Sequence, residues 1–467
     1  MKRILFALMS IFFVFTITGC SNNSGSNRSV EAPKISRNIK SEAVDVDIYL
    51  DGTYSMGGYV NFTSSTVYED AVKNIERTIS TNWKKENIQY IKFGDNIQSL
   101  SREQFLQFSN SGFYQETNTR LQEVVDSMQA DKLNILVTDL FQTNQDIDSL
   151  MLSLKNSCFS DSSKAMALIG VKSQFNGKIY DIGKSSMSLS YTSTDDKASY
   201  RPFYVLVIGK EADVREFTKA YSKNLDAELV KVALFSKNLS SEVALVPGKA
   251  IPNNNKEKIS NMAQISTMLG SNSDILQYRL NLDKDNPGFN ATLVANNVVG
   301  NLPKEFSDFM CHVEKWEQNT ENKKKAGLLD KVLGKEDKSQ DTASAAKFTE
   351  FKSNDFVAIS SERIGSKDGG ANVDVLFKFN PSGIRKTEGK YRLNIALLPS
   401  KEVYVNANSI FGDWNLVDED INSQEKAQAV GAKTLHINDF VKMVGSLNYE
   451  MNQPGFYNIY IYLEAIK

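Results

Sequence analysis

Val46-Asp-Ile-Tyr-Leu50 runs directly into Asp51-Gly-Thr53-Tyr-Ser55-Met56. The first five residues are rich in aliphatic and aromatic side chains and read as a strand. The next six place a carboxylate and two hydroxyls at i, i+2 and i+4. That spacing sets three hard oxygen donors on one turn at a strand's C-terminal end, where open α/β sheets bind ligands. Oxygen-only donors with few negative charges suit Mg²⁺ or Mn²⁺ rather than zinc or copper. The same residue types also close turns and cap helices by hydrogen bonding alone, so the triplet by itself leaves both readings open.

Two further segments follow in order. Glu116-Thr117-Asn-Thr-Arg-Leu-Gln-Glu-Val-Val125 reads as a loop entering a helix, and Asn134-Ile-Leu-Val-Thr138-Asp139 as a buried strand ending in a carboxylate. Between the first two segments, Ile88-Gln-Tyr-Ile-Lys-Phe-Gly94-Asp95-Asn-Ile-Gln-Ser-Leu100 reads as two strands around a tight Gly-Asp turn. Together these segments resemble the metal-ion-dependent adhesion site of von Willebrand factor A domains, in its bacterial Asp-x-Thr-x-Ser-Met form. The resemblance implies that Asp51, Thr53, Ser55, Thr117 and Asp139 hold Mg²⁺ (or Mn²⁺) directly or through water. It also implies a coordination position open to an acidic side chain of a protein partner. Two aspartates and three neutral hydroxyls are expected to leave the ion attractive to another carboxylate. One position departs from the family, which usually has glycine after the last aspartate; this chain has Leu140.

Enzyme readings find less support. Asp-Gly-Thr after an apolar strand is similar to haloacid dehalogenase-type phosphatases, whose nucleophilic carboxylate lies two residues before that aspartate. Here the position is Tyr49, which cannot form an acyl-phosphate, and Asp47 has the wrong spacing. The two histidines, His312 and His436, are far from the motif in sequence and are expected to be structural. No zinc spacing, P-loop or Gly-x-Gly-x-x-Gly element occurs.

Outward from the motif, residues 43–236 alternate strands with helices. Strands are expected near 46–50, 88–93, 134–138, 165–171, 203–208 and 229–235, and helices near 66–80, 119–128, 146–157 and 212–223. This alternation predicts an α/β fold: a doubly wound, mostly parallel sheet, independent of the rest and resembling a von Willebrand factor A domain. Residues 173–201 are too long for a plain connection and contain the alternating run 186–192, read as an inserted hairpin or long loop. Near residue 240 the pattern changes. Ile259, Met262, Ile265, Met268 and Leu269 predict one amphipathic helix. Period-2 runs then follow at 276–282, 289–295, 373–379, 391–397 and 456–466, so residues 237–467 are expected to form a β-rich, sandwich-like region. Residues 321–347 are charged, have little apolar periodicity and read as a disordered or weakly helical insertion. Gly412-Asp-Trp414 fits either an exposed ligand-contact turn or a buried core tryptophan.

The N-terminus points to location. Met1-Lys2-Arg3 is basic, Ile4 to Phe15 is apolar but short for a membrane span, and Ile17-Thr18-Gly19-Cys20 closes it. This arrangement resembles a bacterial lipoprotein signal, with residues 1–19 as signal peptide and Cys20 as the lipidated residue. Two or more acyl chains there would anchor the chain to a membrane stably. Residues 20–42, rich in serine, asparagine and charge, read as anchor and flexible tether with an average span of about 25 Å. The chain of 467 residues carries 54 Lys and Arg against 56 Asp and Glu, a net charge of −2. That balance argues against a nucleic-acid partner, which would require a basic stripe. Cys158 and Cys311 are expected to be separate buried residues rather than a disulfide. The sequence thus describes a lipid-anchored cell-envelope protein, facing the periplasm or the cell exterior, that binds a protein partner through a divalent cation. The alternatives are a structural subunit of an envelope assembly with a vestigial ion site, and a metal-dependent hydrolase. Replacing Cys20 with serine should abolish metabolic labelling by radioactive fatty acid and release the protein from the membrane fraction; persistent labelling of the variant would exclude Cys20 as the modified residue.

Overall fold

The computed structural model describes residues 40–140, 144–182 and 187–239, residues 300 and 303, and the segments 242–247, 260–261, 263–264, 276–281, 287–296, 308–317, 347–350, 357–367, 370–379, 389–417 and 430–466. The N-terminal signal, the expected tether as far as residue 39, and all but the last residue of the expected insertion at 321–347 lie outside these. Residues 40–42 of that tether are instead part of the described fold, with the Ser41 amide and hydroxyl donating to the Asp213 carboxylate at 2.8 and 2.9 Å. The first part of the chain forms β1 (Ala43–Asp51), α1 (Val67–Asn82), β2 (Lys85–Phe93), β3 (Gln98–Leu100), α2 (Arg102–Phe105), α3 (Leu121–Ser127), β4 (Leu133–Thr138), α4 (Asn144–Leu154), β5 (Lys164–Ser173), β6 (Asn176–Ile182), β7 (Met187–Thr192), β8 (Arg201–Lys210), α5 (Glu211–Lys223) and β9 (Val230–Phe235). Seven of the strands make one sheet in the order β3-β2-β1-β4-β8-β5-β9.

This sheet is mixed and largely parallel. Strand β1 pairs in parallel with both β2 and β4, and β5 runs the same way as these three. Strands β3, β8 and β9 run against them. The exception to the expected parallel order arises at β8. No crossover helix separates β5 from β8; the chain instead makes the β6–β7 hairpin and returns beside β5 as an antiparallel neighbour. A parallel return would need a crossover, usually helical. Helix α5 then carries the chain from β8 to β9 across β5.

Local signals account for the individual elements. Thr66 caps α1 by accepting from the Glu69 amide, and Tyr68, Ala71, Val72, Ile75 and Ile79 give that helix one buried stripe. Strand β4, Leu-Asn-Ile-Leu-Val-Thr, is buried at every position, as a strand covered on both faces must be. On one face, Ile48, Leu50, Ile135, Val137, Ala167, Ile169, Val205 and Val207 pack beneath α1 and α5.

The other face is where the chain departs from the expected division. Tyr49, Leu136, Met166, Leu168, Tyr204 and Leu206 pack against Leu121 and Val124 of α3 and Leu150 and Leu154 of α4. They also pack against Phe411, Trp414, Ile437, Phe440, Val441 and Val444. The last six belong to the C-terminal part of the chain, which contributes α6 (Lys401–Asn408) and α7 (Ile437–Asn452). A Cβ on Gly170 of β5 would lie 2.6 Å from the Phe411 ring and 2.8 Å from the Trp414 ring, so those rings seat directly on the bare backbone of the sheet. A boundary after residue 236 therefore divides one core. Trp414 is a buried core residue, not an exposed contact.

Between β9 and α6 the chain is β-rich. It forms β10 (Glu242–Pro247), β11 (Ser260–Asn261), β12 (Ala263–Gln264), β13 (Leu276–Asn281), β14 (Pro287–Asn296), β15 (Asp308–Glu317), β16 (Lys347–Glu350), β17 (Val357–Lys367), β18 (Gly370–Phe379) and β19 (Gly389–Leu398). The short pair β20 (Asn415–Leu416) and β21 (Thr434–Leu435) and the long β22 (Phe456–Ile466) complete the chain. A five-stranded sheet has the order β10-β14-β18-β17, with β11 beside β14, and a six-stranded sheet the order β12-β13-β22-β19-β15-β16. Pairing is antiparallel except for β11 with β14 and β13 with β22. The helix expected over 259–269 is not formed where that window is described: Ser260–Asn261 and Ala263–Gln264 are strands that pair with β14 and β13. Cross-strand pairing there overrides the three-residue apolar spacing. Cys158 and Cys311 are both free thiols.

A fragment of residues 43–236 would expose the second apolar face of the sheet. It should show no cooperative melting transition, whereas the full chain should show one; a cooperative transition of the fragment near the full-chain midpoint would mean that the C-terminal helices are dispensable to the core.

Candidate functional site

Strand β1 lies at the middle of the parallel part of the sheet, so its C-terminal residue, Asp51, emerges between the ends of β2 and β4. Three backbone hydrogen bonds fix the turn that follows. The Gly52 amide donates to the Phe93 carbonyl at 2.8 Å, the Glu116 amide to the Gly52 carbonyl at 3.0 Å, and the Tyr54 amide to the Glu116 carbonyl at 3.0 Å. Thr53 and Glu116 thereby form a bridge, and the chain beyond Thr53 winds into a short 3₁₀ helix, Tyr54–Tyr59.

Asp51 is fully buried. Its Oδ1 accepts from the Thr53 amide at 3.0 Å and from Thr53 Oγ1 at 2.6 Å, and its Oδ2 accepts from Thr138 Oγ1 at 2.7 Å. Thr53 Oγ1 is also 3.1 Å from Ser55 Oγ. Asp51, Thr53 and Ser55 are therefore one hydrogen-bonded cluster, as their spacing predicts. Thr138 joins it from β4; its sequence signal was its place beside Asp139 at the end of an apolar strand.

Asp139, 2% exposed, follows Thr138 and lies close enough to Asp51 for its charge to act on that carboxylate. Leu140 then takes φ +49°, the left-handed backbone that glycine adopts without strain. The position at which the sequence resemblance expects glycine thus has a glycine-like conformation with a leucine in it. Such a residue costs roughly 1–2 kcal/mol. Leu140 is buried in the second face of the sheet, and burying a leucine side chain stabilises by about as much or more, so packing holds the turn.

The opposite wall is Arg201, the first residue of β8 and 1% exposed. Its Nη1 donates to the carbonyls of Gly431 at 3.0 Å and Lys433 at 2.8 Å. Its Nη2 lies 3.9 Å from Asp139 Oδ2, and the guanidinium carbon lies 5.4 Å from the centre of the Phe175 ring. One arginine at the start of an otherwise apolar strand gives no sign in the sequence of where its charge points.

Burial pushes the Asp51 carboxyl up to about 7, and the Asp139 charge adds to the rise; hydrogen bonds from Thr53 and Thr138 act against it. Strand β1 carries its own control. Asp47, also buried, has Lys132 Nζ at 2.8 Å, whereas Asp51 makes no ion pair among the described residues.

Thr117 reaches the site less directly. It follows the bridging residue Glu116 and is solvent-exposed, and it is not among the hydrogen-bond partners of Asp51. Its amide donates to Asp95 Oδ2 at 2.9 Å, and Asn118 Nδ2 donates to Asp95 Oδ1 at 2.6 Å; these bonds hold the Asp95 carboxyl below the usual range. The sequence marked Asp95 only as a turn residue; its carboxylate also fastens the second loop. A Cβ on Gly94 would stand 2.3 Å from Glu116 Cβ, so the turn needs glycine for that loop to approach. Glu116 pairs with Lys92 at 3.1 Å. His436 precedes α7 with its Nδ1 3.5 Å from Asp439, and His312 is exposed on β15.

No family model, curated protein or solved structure matches this chain. Among the described residues no group of three or more His, Cys, Asp or Glu side chains is placed to hold a metal ion; the cluster here is two carboxylates with hydroxyls. That donor set fits a small hard cation. All donors are oxygen, two buried like charges raise each other's energy, and a dication relieves both.

The raised carboxyl sets a pH dependence. Asp51 holds its proton more tightly folded than unfolded. Its contribution to stability is therefore fully present below the ordinary carboxylate range and is lost as pH rises toward 7. With chelator present, the thermal midpoint should show this decline between about pH 4 and pH 7, superimposed on other titrations. Asp51→Asn should remove that component; a profile unchanged by the substitution would show that Asp51 is not the group responsible.

Proposed function

We propose that this chain is a lipid-anchored protein of the bacterial cell envelope whose α/β unit binds a protein partner through a divalent cation, as von Willebrand factor A domains do. The observation that carries the reading is Asp51: a fully buried carboxylate at the end of a central strand, bonded by hydroxyls and an amide, facing a second carboxylate, Asp139. Asp51, Thr53, Ser55, Thr117 and Asp139 would hold Mg²⁺ or Mn²⁺ directly or through water, and Thr138 would orient Asp51. The ion would supply a positive centre for an acidic side chain of the partner. The reading is binding rather than catalysis because neither histidine, His312 nor His436, lies near the motif in sequence; a metal-dependent hydrolase is the less favoured alternative.

A second reading has one observation in its favour. Arg201, 3.9 Å from Asp139, supplies positive charge from the chain itself, as a structural subunit with a vestigial ion site would have it.

A melting curve separates the two. A cation that binds only the folded form stabilises it, by ~2.7 kcal/mol at a hundredfold excess over its dissociation constant. Mg²⁺ or Mn²⁺ should raise the midpoint of the full chain relative to chelator, and Ca²⁺ should do so less, because a small site penalises the larger ion. Asp51→Ala or Asp139→Ala should abolish the response, and Thr117→Ala should weaken it less, since water can replace a neutral donor. Equal responses of wild type and Asp51→Ala would remove the support for an ion at these residues.

A further inference from the structure

We propose that the β6–β7 hairpin is part of the candidate ion site: it braces the turn that carries Ser55, with Gly177 and Phe175 as positioning residues. The inference rests on the cation reading and adds two residues outside the five donors.

Ser55 is the least anchored of the three motif residues. Asp51 is held by strand pairing and by Thr138, and Thr53 by its bridge to Glu116. The Ser55 hydroxyl has one hydrogen-bond partner among the described residues, Thr53 Oγ1. Its place is therefore set by the 3₁₀ helix Tyr54–Tyr59, and the hairpin packs on the far end of that helix. A Cβ on Gly177 would stand 2.8 Å from Gly58 Cα and 3.3 Å from its nitrogen, and a Cβ on Gly58 would stand 2.4 Å from the Phe175 ring. At Gly177 and Gly58 the two main chains thus meet with no side chain between them. Asn61 Nδ2 donates to the Asn176 carbonyl at 3.1 Å, and Asn176 Nδ2 to the Asn61 carbonyl at 3.3 Å; these bonds fasten the hairpin just beyond the helix.

Two hydrogen bonds close the base of the hairpin. The Ser193 amide donates to the Phe175 carbonyl at 2.8 Å, and the Phe175 amide to Ser193 Oγ at 2.9 Å. The Phe175 ring centre lies 5.0 Å from that of Tyr59 and 5.4 Å from the Arg201 guanidinium, and Arg201 lies 3.9 Å from Asp139. One ring therefore touches both the helix that carries Ser55 and the arginine beside Asp139. Close-packed interiors transmit strain, so the hairpin sets how far apart these two walls of the site stand.

That spacing matters more to a small ion than to a large one. Mg²⁺ demands near-ideal octahedral geometry with short bonds, whereas Ca²⁺ accepts more ligands in a flexible arrangement. A group inserted between Gly177 and Gly58 should move the helix, displace Ser55 and cost Mg²⁺ more than Ca²⁺. Gly177 lies in a strand without positive φ, so alanine there adds only its methyl group.

Titration calorimetry of Mg²⁺ and of Ca²⁺ into the full chain, with a melting curve in chelator, tests this on wild type, Gly177→Ala, Asn61→Ala and Lys178→Ala. Gly177→Ala should bind Mg²⁺ about tenfold more weakly, the size typical of residues that position metal ligands, and Ca²⁺ within about threefold of wild type. Asn61→Ala, which loosens the hairpin without filling the contact, should shift the Mg²⁺ to Ca²⁺ preference the same way by less. Lys178→Ala, exposed at the next position of β6, should leave it unchanged. Equal weakening of both ions with a lower midpoint in chelator would assign the hairpin to general stability and overturn the inference. So would a folded Gly177→Ala that binds Mg²⁺ as wild type does; either result leaves the cation reading intact. Should Gly177→Ala fail to fold, Asn61→Ala decides, and an unchanged preference overturns the inference. Wild type that binds neither ion rejects the cation reading and this inference with it.

Discussion

A central strand buried on both faces has to be covered twice, and much of this molecule follows from that requirement. Strand β4 exposes none of its six residues. The first covering layer, α1 and α5, comes from chain adjacent to the sheet. The second is incomplete with α3 and α4 alone, and residues beyond 400 finish it through Phe411, Trp414 and the apolar stripe of α7. The same return passes Gly431 and Lys433 beside the end of β8, where their carbonyls hold Arg201. Closing the core and arranging the charge beside Asp139 are thus two results of one chain path.

Within that frame the two buried aspartates of β1 are treated differently. Asp47 receives a lysine at 2.8 Å, while Asp51 receives only hydroxyls and an amide. Hydrogen bonds to a charged group contribute roughly 1.5–3 kcal/mol each, and three of them stabilise the Asp51 carboxylate. They do not win: the group is still pushed up to about 7 by burial and by Asp139. Removing an ionised carboxylate from water opposes them with a penalty of several kcal/mol. Neutral donors can position a buried charge, but they cannot compensate it. Asp139 differs again, with the fixed guanidinium of Arg201 at its side.

The sequence exposed features that depend on neighbours along the chain and concealed those that depend on distant ones. The strand into Asp51, the 88–100 hairpin, α1 and α5 were readable because periodicity and capping are local. The cluster of Asp51, Thr53 and Ser55 was readable for the same reason. The antiparallel entry of β8 was not, since the β6–β7 hairpin leaves no helical crossover to mark it. Ile437, Phe440, Val441 and Val444 carry a helical spacing that the expectation of a β-rich region over 237–467 passed over, and that spacing says nothing of the sheet it covers. Arg201 was the least visible, because its role comes from Asp139, Phe175, Gly431 and Lys433, which lie on three separate segments. The window 259–269 shows the reverse error, an apolar spacing of three where the described residues pair as strands.

The return of the chain also bears on the order in which the molecule can be made. Synthesis is vectorial, and a sheet whose second cover lies near residue 444 cannot close until most of the polypeptide has emerged. The β-rich part waits equally long, since Leu276 of β13 takes Ile461 of β22 as its partner. Pairings this far apart must meet a large loop-closure entropy before any contact rewards it. Neither the core of the mixed sheet nor the β13–β22 pairing can close until late in elongation. The delay leaves a long interval in which an unpaired apolar sheet face needs shielding from its neighbours.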